Sequence, residues 1–204
     1  MSNTAAPYGL RPVNLIGGQP YAGSTRLIKI ASGYAANIFF GQPVAVVANG
    51  VVEVAAVTTT APATGVTGVF VGCAYTDPNL KIPVYKQYWP TGTVASDAYA
   101  YVVDDPDIVM QVQADAPVAQ TALGANISLN ASSGSTGTGN STTSADVGGL
   151  GQTAALPLRI VGFVNGPDSA VGDLFTDILV KWNAPNVTGS VVDGGHSYLN
   201  PTGI

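Results

Sequence analysis

The chain has 204 residues, of which 46% are hydrophobic and 9% are charged, whereas charged residues make up about a quarter of ordinary soluble domains. Seven basic and twelve acidic residues give a net charge of −5, which argues against nucleic-acid binding, because phosphate contacts need Lys and Arg. No apolar run approaches the roughly 18 residues that span a bilayer, so a membrane-spanning role is not expected. A surface with so few charges favours burial against a partner, because little desolvation opposes it.

Residues 1–24 are predicted to form an extended N-terminal arm. Prolines at positions 7, 12 and 20, with glycines between them, exclude a helix, because proline fixes φ and lacks a backbone donor. The stretch also holds more apolar residues than a solvated tail would carry. The arm is therefore expected to lie on a protein surface, either that of its own domain or that of a neighbour.

Residues 25–184 are predicted to form an all-β body, either a β-barrel or a β-sandwich. The segments are short and rich in β-branched residues, and turn residues separate them. Asn49-Gly50 is a strong hairpin signal, because both residues tolerate positive φ. The nine predicted strands cover residues 25–31, 43–48, 51–57, 66–75, 80–85, 98–103, 108–114, 158–164 and 176–182.

Three further segments complete the predicted organisation. Residues 116–123 favour a short helix that begins at Asp115 as the N-cap and ends at Gly124. Residues 132–149 are rich in Ser, Thr and Gly, which predicts a flexible loop, because such a tract buries little apolar area to offset its ordering cost. Residues 185–204 return to turn-forming residues and are predicted to form a C-terminal arm.

No pattern in the sequence predicts a catalytic, cofactor or metal site. Cys73, the single cysteine, lies in an apolar run and is expected to be buried, and a pair with His196 is not expected. Asp104, Asp105 and Asp107 could offer oxygen ligands to calcium, but their spacing matches no calcium loop. Aspartates in turns usually bond their own backbone, which is the preferred interpretation here.

The aromatic residues Tyr85, Tyr88 and Trp89 fall close together in the sequence. Exposed rings of this kind stack on sugars, so a carbohydrate-binding module with a platform around Trp89 is an alternative. Aromatic clusters serve more often as core or interface anchors.

Several segments resemble those of a family of small structural proteins of tailed bacteriophages, the head decoration or cement proteins. The most characteristic segment is APYGLRPV at residues 6–13. The others are GQPV at 41–44, GVFVGCAY at 68–75, YWP at 88–90, VMQVQA at 109–114, RIVGF at 159–163 and DILVKWN at 177–183. Together they are spread over most of the chain.

The resemblance implies a non-enzymatic protein that binds the outside of an expanded capsid and braces it, commonly as a homotrimer. Its partners would be the major capsid protein and copies of itself. It would be made in the bacterial cytoplasm, since the N-terminus has no signal-peptide pattern, and would end on the capsid surface of the virion. The alternatives are another virion component, from the capsid or the tail, and the carbohydrate-binding module.

Within this interpretation, the N-terminal arm is expected to be a main partner contact through Tyr8, Leu10, Arg11 and Val13. Arg11 could pair with an acidic group of the partner. The hypothesis predicts that replacing Tyr8 and Leu10 by alanine weakens attachment but leaves the melting temperature nearly unchanged.

Overall fold

The computed structural model describes residues 4–55, 57, 65–130, 133–184, 186–188, 191–193 and 195–199. In these ranges it is almost entirely β, with fourteen strands and two 3-10 helices, Gln120–Ala122 and Ser197–Leu199. The strands are β1 Arg11–Leu15, β2 Arg26–Lys29, β3 Gln42–Val46, β4 Val52–Val54, β5 Gly68–Thr76, β6 Pro83–Lys86, β7 Tyr99–Val103, β8 Ile108–Gln113, β9 Asn126–Leu129, β10 Ala145–Gly151, β11 Leu158–Phe163, β12 Asp177–Trp182, β13 Asn186–Thr188 and β14 Val191–Asp193. Within the described ranges, no helix is long and apolar enough to cross a bilayer.

Two six-stranded antiparallel sheets build the body. Sheet 1 has the strand order β1-β8-β12-β11-β9-β10. Sheet 2 has the order β2-β7-β5-β3-β4, and β6 also pairs with β5. Strands β13 and β14 form a separate hairpin. The all-β prediction is confirmed, and the open strand orders of the described sheets correspond to a sandwich rather than a closed barrel.

Sheet 2 contributes to two hydrophobic cores, because its two sides meet different neighbours. The first core joins Met110 and Val180 of sheet 1 to Val69 and Val103 of sheet 2. The second core lies on the opposite side of sheet 2, where Phe70 and other inward residues pack against surrounding loops. Alternation of side chains along each strand divides sheet 2 between the cores, since successive residues point to opposite sides.

The N-terminal segment differs from the predicted arm, because part of it belongs to the body. Residues 11–15 form β1, which pairs with β8 in an antiparallel register that places Arg11 opposite Gln111. Leu10 is completely buried in the first core. The excess of apolar residues that suggested a docked arm thus completes the chain's own core.

The Ser/Thr/Gly tract at 132–149 also differs from the expected flexible loop over its described residues, 133–149. Its last part lies in β10, which pairs with β9. Ser141 and Thr143 are buried, and their hydroxyl groups lie 2.7 Å apart in a mutual hydrogen bond. Small hydroxyl side chains can therefore fill a packed site by bonding one another, which composition alone does not reveal. Ser132 lies outside the described residues.

The other predicted elements have mixed outcomes. Each of the nine predicted strands overlaps an observed one, namely β2–β8, β11 and β12. The helix expected over 116–123 is reduced to the 3-10 turn Gln120–Ala122. In the predicted C-terminal arm, 185–204, residues 195–199 are docked on the body through backbone hydrogen bonds. Residues 185, 189–190, 194 and 200–204 lie outside the described part.

Candidate functional site

One side of sheet 2 is covered at one end and open at the other. Along β7, Ala100 and Val102 point into the second core, while Tyr99, Tyr101 and Val103 point to the opposite side. Val103 is 1% exposed because sheet 1 covers it, whereas Tyr99 is 41% exposed. The side of sheet 2 that packs against sheet 1 therefore extends beyond sheet 1, and the part that extends beyond it is exposed.

Two cross-strand rows define this open surface. The first row runs from Leu27 on β2 to Tyr101 on β7, and the second brings Tyr99 on β7 and Tyr85 on β6 to either side of Ala74 on β5. Leu27 is 56% exposed and Tyr85 is 76% exposed. Tyr99 and Tyr85 are two strand spacings apart, or about 10 Å. We call Leu27, Tyr85, Tyr99 and Tyr101 the tyrosine face.

A groove of about 460 Å³ runs along the tyrosine face between Tyr85 and Tyr101. Its floor includes Gly72, which follows a β-bulge and has a φ of +143°. A Cβ atom on Gly72 would lie 3.2 Å from the backbone oxygen of Lys86 and would crowd the floor. Gln87 also lines the groove, and its Nε2 donates a hydrogen bond to Asn140.

The chemistry of the tyrosine face suits binding rather than catalysis. Tyrosine combines a large apolar ring with a hydroxyl group, so it packs against a partner and still forms hydrogen bonds at the rim. Two charged residues border this surface, namely Lys29, which lies opposite Tyr99, and Lys86, which lines the groove. Burial of this surface therefore removes few charges from water, and large exposed apolar patches on folded proteins commonly mark interaction sites.

The four predicted arm contacts lie in different environments. Leu10 is completely buried in the first core, so its side chain packs within this chain and not on the exposed surface. Tyr8 is partly buried and its hydroxyl donates to Asp177 at 3.0 Å; burial, and secondarily the carboxylate, raise the pKa of Tyr8. The Arg11 guanidinium lies 4.1 Å from the centre of the Tyr8 ring. Arg11 and Val13 are exposed and remain accessible.

The aromatic platform expected around Trp89 is not formed. Trp89 is completely buried and its ring meets Tyr75 edge-on at 5.2 Å. Tyr88 stacks on Phe39 with ring centres 5.7 Å apart. Of the three aromatic residues singled out in the sequence, Tyr85 alone presents most of its side chain to solvent. Loops that cover the second core bury Trp89, and local sequence does not indicate that cover.

The acidic cluster at residues 104–107 is engaged in bonds within the protein. Asp104 forms an ion pair of 2.6 Å with Arg26, and Asp107 forms one of 2.8 Å with Lys181. Asp105 accepts a hydrogen bond from the backbone N–H of Asp107, as expected for an aspartate in a turn. Within the described ranges, no group of three or more potential metal-ligating side chains is found.

Cys73 and His196 lie in separate environments. Cys73 is buried in the second core and its thiol donates to the backbone oxygen of Tyr88. Burial raises the pKa of Cys73 to about 12, which keeps the thiol protonated and unreactive at neutral pH. His196 instead packs beside Trp182, at the end of β12.

Sequence reasoning missed most of the tyrosine face, although one signal was present. The segment Tyr99-Ala100-Tyr101 lies in a correctly predicted strand, and its alternation places both tyrosines on one side. Which side would be left open depends on how far sheet 1 extends over sheet 2. That is a property of tertiary packing and has no local sequence signal.

Comparisons with family models, curated proteins and solved structures gave no match to this chain. The interpretation of the tyrosine face therefore rests on its own geometry and on the sequence segments described above.

Proposed function

We propose that this chain is a structural virion protein that binds the outside of an expanded tailed-phage capsid and stabilises it, as a homotrimer. The observation that carries the proposal is the tyrosine face, an open and nearly uncharged continuation of the contact between the two sheets. The resemblance of seven sequence segments to capsid decoration proteins supplies the identity of the partner, the major capsid protein.

The composition of the tyrosine face supports a protein partner. Tyrosine is enriched at the centres of protein interfaces, where a few aromatic residues carry most of the binding free energy. Tyr85 and Tyr99 sit on strands rather than on a loop, so little side-chain and backbone entropy is lost when they are buried. A rigid aromatic surface on a sheet is suited to docking between capsid subunits.

A trimer would add avidity to a modest single contact. When three copies are linked, binding of the first raises the effective concentration of the others near their sites. A weak contact through one tyrosine face would then hold firmly at a threefold position. Arg11 and Val13, which are exposed on the edge strand β1, are available for a secondary contact.

The proposal is tested by co-sedimentation of the purified chain with expanded heads that lack it. We expect saturable binding at a symmetric stoichiometry, a raised capsid melting temperature, and a trimer by light scattering. The variant Y85S/Y99S should bind at least about tenfold more weakly, because two interface anchors are lost. Its own melting temperature should change less than that of a core variant, because Tyr85 is 76% exposed and Tyr99 is 41% exposed.

A matched control removes two exposed leucines that lie away from the tyrosine face. Leu123 and Leu174 are 49% and 53% exposed, and the variant L123S/L174S should bind heads like the unmodified chain. Equal weakening in both variants would show that general hydrophobicity, not the tyrosine face, drives attachment. Absence of binding by the unmodified chain, together with a monomer in solution, would overturn the proposal.

A second candidate function is binding of a neutral glycan in the groove between Tyr85 and Tyr101. The groove combines aromatic rings with the Gln87 amide, which are groups that stack on and hydrogen-bond to sugars. If heads are not bound, polysaccharide binding that Y85S/Y99S abolishes would favour this function or a tail component that carries it.

A further inference from the structure

The C-terminal segment 195–199 bridges the two sheets through backbone hydrogen bonds. The backbone N–H of Val66, just before β5 of sheet 2, donates to the oxygen of Gly195 at 2.9 Å, and Ser197 donates back to Val66 at 2.9 Å. His196 donates to the oxygen of Asn183, which directly follows β12 of sheet 1. The segment thus lies across the seam where the sheets meet.

The His196 side chain fills this seam. It is completely buried, with its ring 6.2 Å from Trp182 and 5.1 Å from Tyr198, measured between ring centres. The backbone N–H of Tyr198 donates to Nδ1 of His196 at 3.2 Å. The imidazole is therefore neutral with its proton on Nε2, and Nε2 has no hydrogen-bond partner within the described residues.

Protonation of His196 conflicts with this arrangement for two reasons. Nδ1 would become a donor and would face the N–H of Tyr198, so the hydrogen bond between them would be replaced by a contact between two donors. The positive charge would also lie in a buried site, where desolvation disfavours it. This burial lowers the pKa of His196 to about 4.

The charged groups around His196 do not cancel the effect of burial. The backbone of Thr67 and the carboxylates of Asp104 and Asp105 favour the protonated ring, while Lys181 opposes it. Burial is the largest of these influences and the pKa of His196 remains lowered. The acidic groups of the neighbouring loop thus reduce the pH sensitivity of the segment without removing it.

Tyr198 gives the segment a second anchor, which involves charged partners. Its hydroxyl donates to Asp104 at 2.7 Å, and the Arg26 guanidinium that pairs with Asp104 lies 5.1 Å from the Tyr198 ring. Tyr198 is 44% exposed, so this anchor is partly solvated and weaker than a buried one. The buried imidazole is therefore the main side-chain anchor of the segment.

We propose that residues 195–199 form a proton-sensitive latch across the seam between the sheets, held by neutral His196 and released when this imidazole is protonated. Release would free the backbone groups of Val66 and Asn183, which could then pair with a strand from another molecule. The proposal is independent of the capsid-binding function.

The direction of the pH effect follows from proton linkage. A released histidine has its ordinary pKa of about 6.5, above the value in the docked segment, so the released state binds more protons. The latch is consequently at full strength above about pH 6.5. Its opening constant rises about 40-fold in all between pH 6 and pH 4, and it levels off below the docked pKa of about 4.

The test is hydrogen exchange on the full chain, corrected for intrinsic rates, with an NMR titration of the imidazole. His196 is the sole histidine of the sequence, so its resonances need no assignment. We expect a pKa well below 6.5, and loss of protection at the amides of residues 196 and 197 between pH 6 and 4. The amides of Met110 and Val180, in the first core, should stay protected. Loss of all protection in one step would overturn a local latch, as would a pKa of 6.5 or higher.

Two variants separate the imidazole from its neighbours. In His196→Phe an aromatic ring is retained without a titrating group, so the protection of residues 196 and 197 should no longer fall steeply between pH 6 and pH 4. In Asp104→Asn the pH dependence should persist, because the substitution removes a carboxylate that favours the protonated ring and leaves the imidazole itself in place. Persistence of the steep pH dependence in His196→Phe, or its loss in Asp104→Asn, would overturn the proposal.

Discussion

The two ends of the chain are both predicted from the sequence to be arms, and the described parts of both are held on the body by different means. At the N-terminal end, Leu10 enters the first core and β1 adds a ladder of hydrogen bonds to β8. At the C-terminal end, the buried anchor is an imidazole, supported by a partly exposed hydrogen bond from Tyr198 to Asp104. The buried side-chain anchor is therefore apolar at the N-terminal end and titratable at the C-terminal end.

The strength of attachment at the two ends should respond differently to solution conditions. Apolar burial depends on area and is insensitive to pH over the neutral and mildly acidic range. An anchor that must remain neutral loses strength as soon as protons compete for it. The N-terminal segment is therefore expected to stay in place over this pH range, whereas the proposed latch predicts release of the C-terminal segment from an otherwise folded body.

The largest effect on the free energy of unfolding is expected for Leu10→Ala. Removal of a fully buried leucine leaves a cavity in the first core, so the free energy of unfolding should fall by about 2–5 kcal/mol. Urea denaturation at pH 7 measures this loss. The control Val13→Ala, at a 43% exposed position of the same segment, should change it by less than about 0.5 kcal/mol. If the free energy of unfolding of Leu10→Ala were unchanged, the N-terminal segment would be dispensable for stability, as the arm predicted from the sequence would be.

A somewhat smaller effect is expected for Gly9→Ala. Gly9 has a φ of +79°, and a Cβ atom there would lie 2.7 Å from the backbone oxygen of Gly41. The substitution should destabilise the fold by about 1–3 kcal/mol, because strain and a backbone clash act together. Gly18 has a similar φ of +82° but open space around it, so Gly18→Ala tests the strain alone. Equal losses, compared by thermal denaturation, would mean that the contact with Gly41 is unimportant.

The smallest effect should come from Tyr8→Phe. The ring and its contact with Arg11 are retained, but the hydrogen bond to Asp177 is lost, at a cost of about 1 kcal/mol. Asp177 keeps a hydrogen bond from Gln111, which limits the loss. Denaturation of this variant, of Gln111→Leu and of the double variant would show whether the two bonds to Asp177 are independent. A loss as large as that for Leu10→Ala would contradict the dominance of apolar anchoring.

The elements that could be predicted from the sequence are those with strong local signals. The hairpin at Asn49-Gly50 is observed, with Val47 donating to the oxygen of Val51 at 3.0 Å and a φ of +72° at Gly50. Strand β1 was missed because it contains Pro12, and β10 was missed because it contains glycines and an aspartate. Both lie at the edges of sheet 1, where such residues are tolerated.

The candidate site was harder to predict, because it is defined by what sheet 1 fails to cover. Trp89 and Tyr85 are close in sequence and similar in chemistry, yet one is fully buried and the other is 76% exposed. Their difference depends on the loops that close the second core. Likewise, Leu10 and Val13 share one short segment, and only the three-dimensional packing assigns one to the core and one to the surface.

Strand β5 gives the body a property that neither sheet has alone. Its consecutive residues Val69 and Phe70 point to opposite sides and belong to different cores. If the packing of either core is lost, β5 loses the contacts on one of its sides. The other core is then destabilised, because β5 also contributes side chains to it. The two cores are therefore mechanically coupled through a single strand, and a protein with two cores is expected to melt as one cooperative unit.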